Sequence, residues 1–167
     1  IDLKLNILVN SNGAASFFAP HHLQRLPRYE RLAFQISLDG VAAAHDLIRG
    51  QGMYSKSLRA IGNLRAQGIT CTVSATVMHT AFFSSVTTFI SDLDGLGLEH
   101  ISIKRVTYAG RAATGSELST PTWNEQVRRV REMITATPVI IHPMYDFAIL
   151  DRIDDATLAG IKPNPST

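Results

Sequence analysis

The chain has 167 residues, of which 45% are hydrophobic and 18% charged, and its formal net charge is +2. That balance suits one globular domain with a sizeable core and gives little reason to expect a nucleic-acid partner. The single cysteine, Cys71, excludes an intrachain disulfide framework and any multi-cysteine metal site.

No apolar run approaches the roughly 20 residues that cross a bilayer, and no signal peptide is visible. The expectation is a cytoplasmic protein with no membrane partner. The first residues lie inside an apolar run, LKLNILVN (3–10), and the last, GIKPNPST (160–167), read as a linker. A fragment of a longer protein is expected.

Five β-rich runs are separated by helical patterns. LNILVN (5–10) is the first, followed by a short helical piece, PHHLQRL (20–26), and then AFQISL (33–38). YSKSLRAIGNLRAQG (54–68) places Leu58, Ile61 and Leu64 on one helical face and stops at Gly68, a suitable C-terminal cap. TCTVSATV (70–77) is the third strand. SSVTTFISDLDGLG (84–97) groups Val86, Phe89, Ile90 and Leu93 and ends near Gly95 or Gly97. HISIKRV (100–106) is the fourth strand. TWNEQVRRVREMI (122–134) has Thr122 followed by Glu125, which predicts a capping box at its start. Its basic stretch QVRRVRE (126–132) reads as a solvated helix face. VIIH (139–142) is the fifth strand.

Strands begin about every thirty to forty residues, the length of one strand–helix unit in a parallel sheet. The predicted fold is α/β, a partial parallel barrel or an open doubly wound sheet. The expected division is 1–120 for the barrel part and 121–167 for a C-terminal helix, strand and linker.

Side chains alternate faces along a strand. Phe34, Ile36 and Leu38 share one face, and Gln35, Ser37 and Asp39 the other. Cys71, Val73, Ala75 and Val77 oppose Thr70, Thr72, Ser74 and Thr76. Ile101 and Ile103 oppose Ser102 and Lys104; Leu5, Ile7 and Val9 oppose Asn6, Leu8 and Asn10. A parallel sheet under helices on both faces reads instead as continuous Val, Ile and Leu. The polar face therefore needs water or a polar ligand, because each unpartnered buried polar group costs about 1–3 kcal/mol. An antiparallel sheet with one wet face is the alternative. The strand-end stretches NSNG (10–13), DG (39–40) and YAGRA (108–112) would share the ligand-binding edge of a parallel sheet.

FQISLDG and HDLIRGQGMYSKSLRAIGNLRAQGI, in that order, resemble the middle of radical S-adenosylmethionine (SAM) enzymes, in particular the branch with a C-terminal SPASM or twitch domain. NSNG resembles the family's Thr-Asn-Gly turn, with Ser11 for Thr, and GRA at 110–112 its Gly-Arg-Ala segment. The resemblance covers residues 4–112 and implies a partial (β/α)6 barrel truncated at its N-terminus, the strands from 5, 33, 70 and 100 being its third to sixth. It implies SAM and a [4Fe–4S] cluster as cofactors of an intact parent that forms a 5′-deoxyadenosyl radical. A peptide or protein is the expected substrate partner. The family's C-x3-C-x2-C loop and Gly-Gly-Glu segment are absent, so this chain alone is expected to be inactive.

By the same resemblance, Ser37 contacts the methionyl part of SAM, Arg49 grips its carboxylate, and Asn12 and Gly13 form the cofactor rim. Tyr108 and Gly110 flank the adenine. Asp39, from its place on the polar face rather than from the resemblance, is expected to position ligand or loop. Each has a plainer reading: a lumen hydroxyl for Ser37, a surface pair with Asp46 for Arg49, and simple turn chemistry for Asp39, Asn12 and Gly13. Tyr108 has one as an ordinary loop aromatic. His45 and His79 read as structural or exposed, His21 and His22 as surface, Cys71 as core. Two other functions stay open: a cluster-free barrel lyase, for which Lys104 is the candidate lysine, and a non-catalytic peptide-binding scaffold. An open first strand also predicts self-association through its edge.

Overall fold

The computed structural model describes residues 5–26, 29–106 and 118–143. Tyr108, Gly110, the 110–112 segment and the closing 160–167 lie outside them.

Five strands form one sheet in sequence order: β1 (Ile7–Ser11), β2 (Leu32–Ser37), β3 (Thr70–Val77), β4 (Ile101–Arg105) and β5 (Val139–Ile141). Every neighbouring pair is parallel. The antiparallel alternative is thereby removed, and the α/β parallel architecture stands. Among the described residues five α-helices lie between the strands: α1 (Pro20–Leu23), α2 (Ala42–Arg49), α3 (Met53–Ala66), α4 (Val86–Leu93) and α5 (Thr120–Arg131).

The register aligns one apolar row across the sheet. Ile36 stands beside Val73, Val73 beside Ile101, and Ile101 beside Val139. Ile36, Val73 and Ile101 are fully buried, as are Ile61 and Leu64 of α3 and Phe89 and Leu93 of α4. Burying a side chain of this kind contributes about 1.5–3 kcal/mol, so this face holds the helices to the sheet.

α3 ends as expected, with Gly68 at a φ of 69° just beyond it. The start of α5 differs from expectation. Ser119, not Thr122, is the N-cap, and its Oγ accepts from the Thr122 amide. Pro121 sits in the first turn, where its missing N–H costs nothing, so the helix begins earlier. Glu125 pairs with Arg128 rather than closing a capping box. Leu5, just before β1, and Ile7 within it are exposed although they were expected on the covered face. The reason is position: β1 is the edge strand, and only Val9 reaches the core.

Candidate functional site

The polar face is built by register. Asn10 stands beside Gln35, and Gln35 beside Thr72. Ser37 stands beside Ser74, Ser74 beside Ser102, and Thr76 beside Lys104. Gln35 Nε2 donates to Thr72 Oγ1 at 3.4 Å. Ser37 and Ser74 are half-buried, Ser102 is buried and Lys104 is exposed. Among the described residues the hydroxyls of Ser37, Ser74 and Ser102 have no partner, so three neighbouring strands carry a row of unspent donors.

Asp39 closes the end of β2. The ladder runs out at Leu38, whose amide donates to the Ser74 carbonyl at 3.0 Å. The Asp39 carboxylate then replaces the missing backbone. Its Oδ1 accepts from the Thr76 amide at 3.1 Å, and its Oδ2 accepts from Arg49 Nε at 2.5 Å. The carboxylate is 4% exposed, and the Arg49 side chain 33%. The plain alternative for Arg49, a pair with Asp46, is not formed.

Asp46 instead caps α3. Its oxygens accept from the Gly52 and Tyr54 amides, each at 2.7 Å. The Tyr54 amide, then that of Gly52, hold its carboxyl below the usual range. Stability from this cap is present above pH 3.8 and lost as pH falls through the lowered value. The Tyr54 hydroxyl donates to Asp92 at 3.2 Å, and burial first, then Asp92, push its pKa up to about 12.

His45 is fully buried, and its Nδ1 accepts from the Asp39 amide at 3.1 Å. Burial lowers its pKa below 6.5. The sequence placed this ring only as structural or exposed. His79, His21 and His22 are exposed.

Asn12 and Gly13 form a tight turn after β1. Ser11 Oγ accepts from the Gly13 amide at 3.1 Å, and Asn12 Oδ1 from the Ala14 amide at 3.0 Å. Ser57 Oγ of α3 donates to the Asn12 carbonyl at 2.7 Å. Gly13 has a φ of 73°, and a Cβ there would lie 3.0 Å from Ser57 Cα. Glycine is therefore required by backbone and by space. A cavity of about 300 Å³ opens beside this turn, between residues 13–20 and α3, with Lys56 and Arg59 at its wall. Ser37, Asp39 and Arg49 do not line it.

A carboxylate ligand fits Arg49: Asp39 uses Nε, and the Nη1–Nη2 edge keeps its donors for a second, two-pronged contact. An iron–sulfur cluster does not fit. Such clusters are held by several thiolates, and Cys71 is the chain's one cysteine. It is fully buried in β3, with burial pushing its pKa up to about 12. Among the described residues no three of His, Cys, Asp and Glu are grouped to hold a metal ion, and no helix is long and apolar enough to cross a membrane.

The parallel α/β fold is shared with solved structures of which this chain covers part. SuiB of Streptococcus suis, solved with its precursor peptide SuiA, matches with a TM-score of 0.72 at 10% identity, over 93% of this chain and 36% of that one. The same protein bound to S-adenosylmethionine matches at 0.64 and 10% identity, over 83% of this chain and 31% of that one. anSMEcpe with bound AdoMet matches at 0.62 and 13% identity, over 77% and 36%. In sequence, the AdoMet-dependent heme synthase of Nitratidesulfovibrio vulgaris (strain Hildenborough) is 37% identical over 78 residues, 46% of this chain and 21% of that protein. The chain thus spans about a fifth of that relative and about a third of the solved structures. No family model matches. These relatives support a likeness to radical SAM enzymes.

Proposed function

We propose that the chain is the SAM-binding middle of a radical SAM enzyme. The row of unspent hydroxyls at Ser37, Ser74 and Ser102, with Arg49 fixed beyond the same end of β2, carries this reading. Ser37 contacts the methionyl group, and the Nη1–Nη2 edge of Arg49 grips its carboxylate. Asn12 and Gly13 shape the rim, and Asp39 orients Arg49. The cluster that supplies an electron to SAM in such enzymes needs cysteines this chain does not contain, so no redox step is assigned to it. A peptide or protein substrate is proposed because SuiB was solved with its precursor peptide; a SPASM or twitch domain in the intact parent protein belongs to the same proposal.

Titration of the isotopically labelled chain with SAM is expected to shift Ser37 and the Arg49 guanidinium resonances, with a dissociation constant on the order of millimolar. Arg49→Ala should weaken that binding about tenfold, the equivalent of about 1.4 kcal/mol. Unchanged affinity in the variant sinks the role of Arg49; no shift in the parent chain sinks the whole reading.

The outer edge of β1 is proposed as a self-association surface. Among the described residues its backbone has a strand partner on one side only, and Ile7 and Leu8 are exposed along it, with Leu5 exposed just before it. Leu8→Lys should lower the average mass in sedimentation at high concentration; a monomeric parent chain removes the proposal.

A further inference from the structure

We propose that His45 is a positioning residue for the anion-binding edge of Arg49, and that it acts only as a neutral imidazole protonated at Nε2. This rests on the reading of Arg49 as a ligand contact. The tautomer follows from the donor. A backbone amide always donates, so Nδ1, which receives the Asp39 amide at 3.1 Å, carries no proton. The proton of the neutral ring is then on Nε2. That nitrogen is buried and has no partner among the described residues. Leaving a buried donor unmatched is unfavourable, so packing at Nε2 does not explain the histidine. What the ring supplies is the acceptor at Nδ1.

That acceptor sits where Arg49 is set. The amide and the carboxylate of Asp39 are two ends of one residue. His45 fixes the first, while Thr76 and Arg49 engage the second. Three anchors from β3 and α2 thus hold the turn after β2. Asp39 is consequently unable to swing its carboxylate, and the guanidinium on it is held with its outer edge free.

Charge on the ring breaks this arrangement. A second proton goes to Nδ1, where it faces the Asp39 N–H, donor against donor. The groups around the ring are the Asp39 carboxylate from the β2 turn, Asp46 and Arg49 from its own helix, and the Tyr54 ring of α3 at 6.0 Å, edge-on. Burial disfavours the cation most, Arg49 adds to that, and the two carboxylates oppose it. The unfolded chain therefore binds the proton more readily than the folded one. Stability is complete above pH 6.5 and declines as pH falls below it.

The test has three readouts on this chain. Long-range nitrogen–proton spectra at pH 7 should show His45 with a bare Nδ1 and a protonated Nε2. Protection of the Asp39 amide, relative to its intrinsic exchange rate, should persist in His45→Asn, whose side-chain oxygen falls near the Nδ1 position. In His45→Gln, whose amide reaches the Nε2 position instead, exchange should be about tenfold faster. The SAM dissociation constant should follow the same order. A proton on Nδ1 at pH 7, or equal protection in the two variants, overturns the proposal; the spectra need only the unsubstituted chain. If that chain binds no SAM, the functional reading falls, while nitrogen state and exchange still decide the role of His45. If SAM binds equally to both variants while protection differs, the link from His45 to Arg49 is refuted.

Discussion

Trp123→Ala is expected to destabilise the chain by about 3–5 kcal/mol, the range for removing a large buried aromatic side chain. Trp123 is 1% exposed and meets Phe83 edge-on with ring centroids 5.8 Å apart. Its Nε1 donates to the His142 carbonyl at 2.8 Å. One residue thus ties α5 to the segment before α4 and to the end of β5. Truncation leaves a cavity and an unmatched carbonyl together. For a chain of this size the loss corresponds to a fall in melting temperature of about 6–20 °C. Trp123→Phe keeps most of the apolar area and loses the hydrogen bond, so about 1 kcal/mol is expected. Urea unfolding at constant slope measures both. A loss below about 1 kcal/mol for the alanine variant would mean that α5 and β5 are a detachable appendage rather than part of the core.

Strict alternation made the sheet legible. β3 runs Thr70–Val77, the span read from TCTVSATV, because its apolar set is buried while Thr70, Ser74 and Thr76 of its polar set are only half-buried, Thr72 alone being buried. A one-residue slip of register would put every valine on the polar face. α2 was not legible as a helix. It follows the Asp39–Gly40 turn directly and leaves Leu47 and Ile48 exposed, so its periodicity points to no core. The candidate site divides in the same way. Alternation put Gln35, Ser37 and Thr72 on one face, because strand geometry alone decides that. It did not pair Arg49 with Asp39, nor Asp46 with the start of α3. Those contacts depend on how the chain turns between Asp39 and Met53, through glycines at 40, 50 and 52 that all have positive φ. Nor did it give His45 its partner, although a histidine six residues after a strand-ending aspartate is the feature that marks the contact.

Asp39 offers the sharpest separation of scaffold from ligand contact. Asp39→Ala removes the acceptor of the Thr76 amide and the partner of Arg49 in one step. An orphaned buried amide costs about 1–3 kcal/mol. The guanidinium, one-third exposed, adds little because water screens it. A destabilisation of about 2–3 kcal/mol is expected. Asp39→Asn keeps an oxygen for Thr76 and loses the charge, so about 1 kcal/mol is expected. Ligand binding should order differently. Both variants free Arg49 Nε from its ionic partner, so both should weaken SAM binding about tenfold, despite their unequal stabilities. Denaturation and SAM titration on the same preparations distinguish the two effects. If affinity instead tracks stability, with the asparagine variant binding like the parent chain, the carboxylate serves the strand end alone. Arg49 would then be oriented by its helix and not by Asp39.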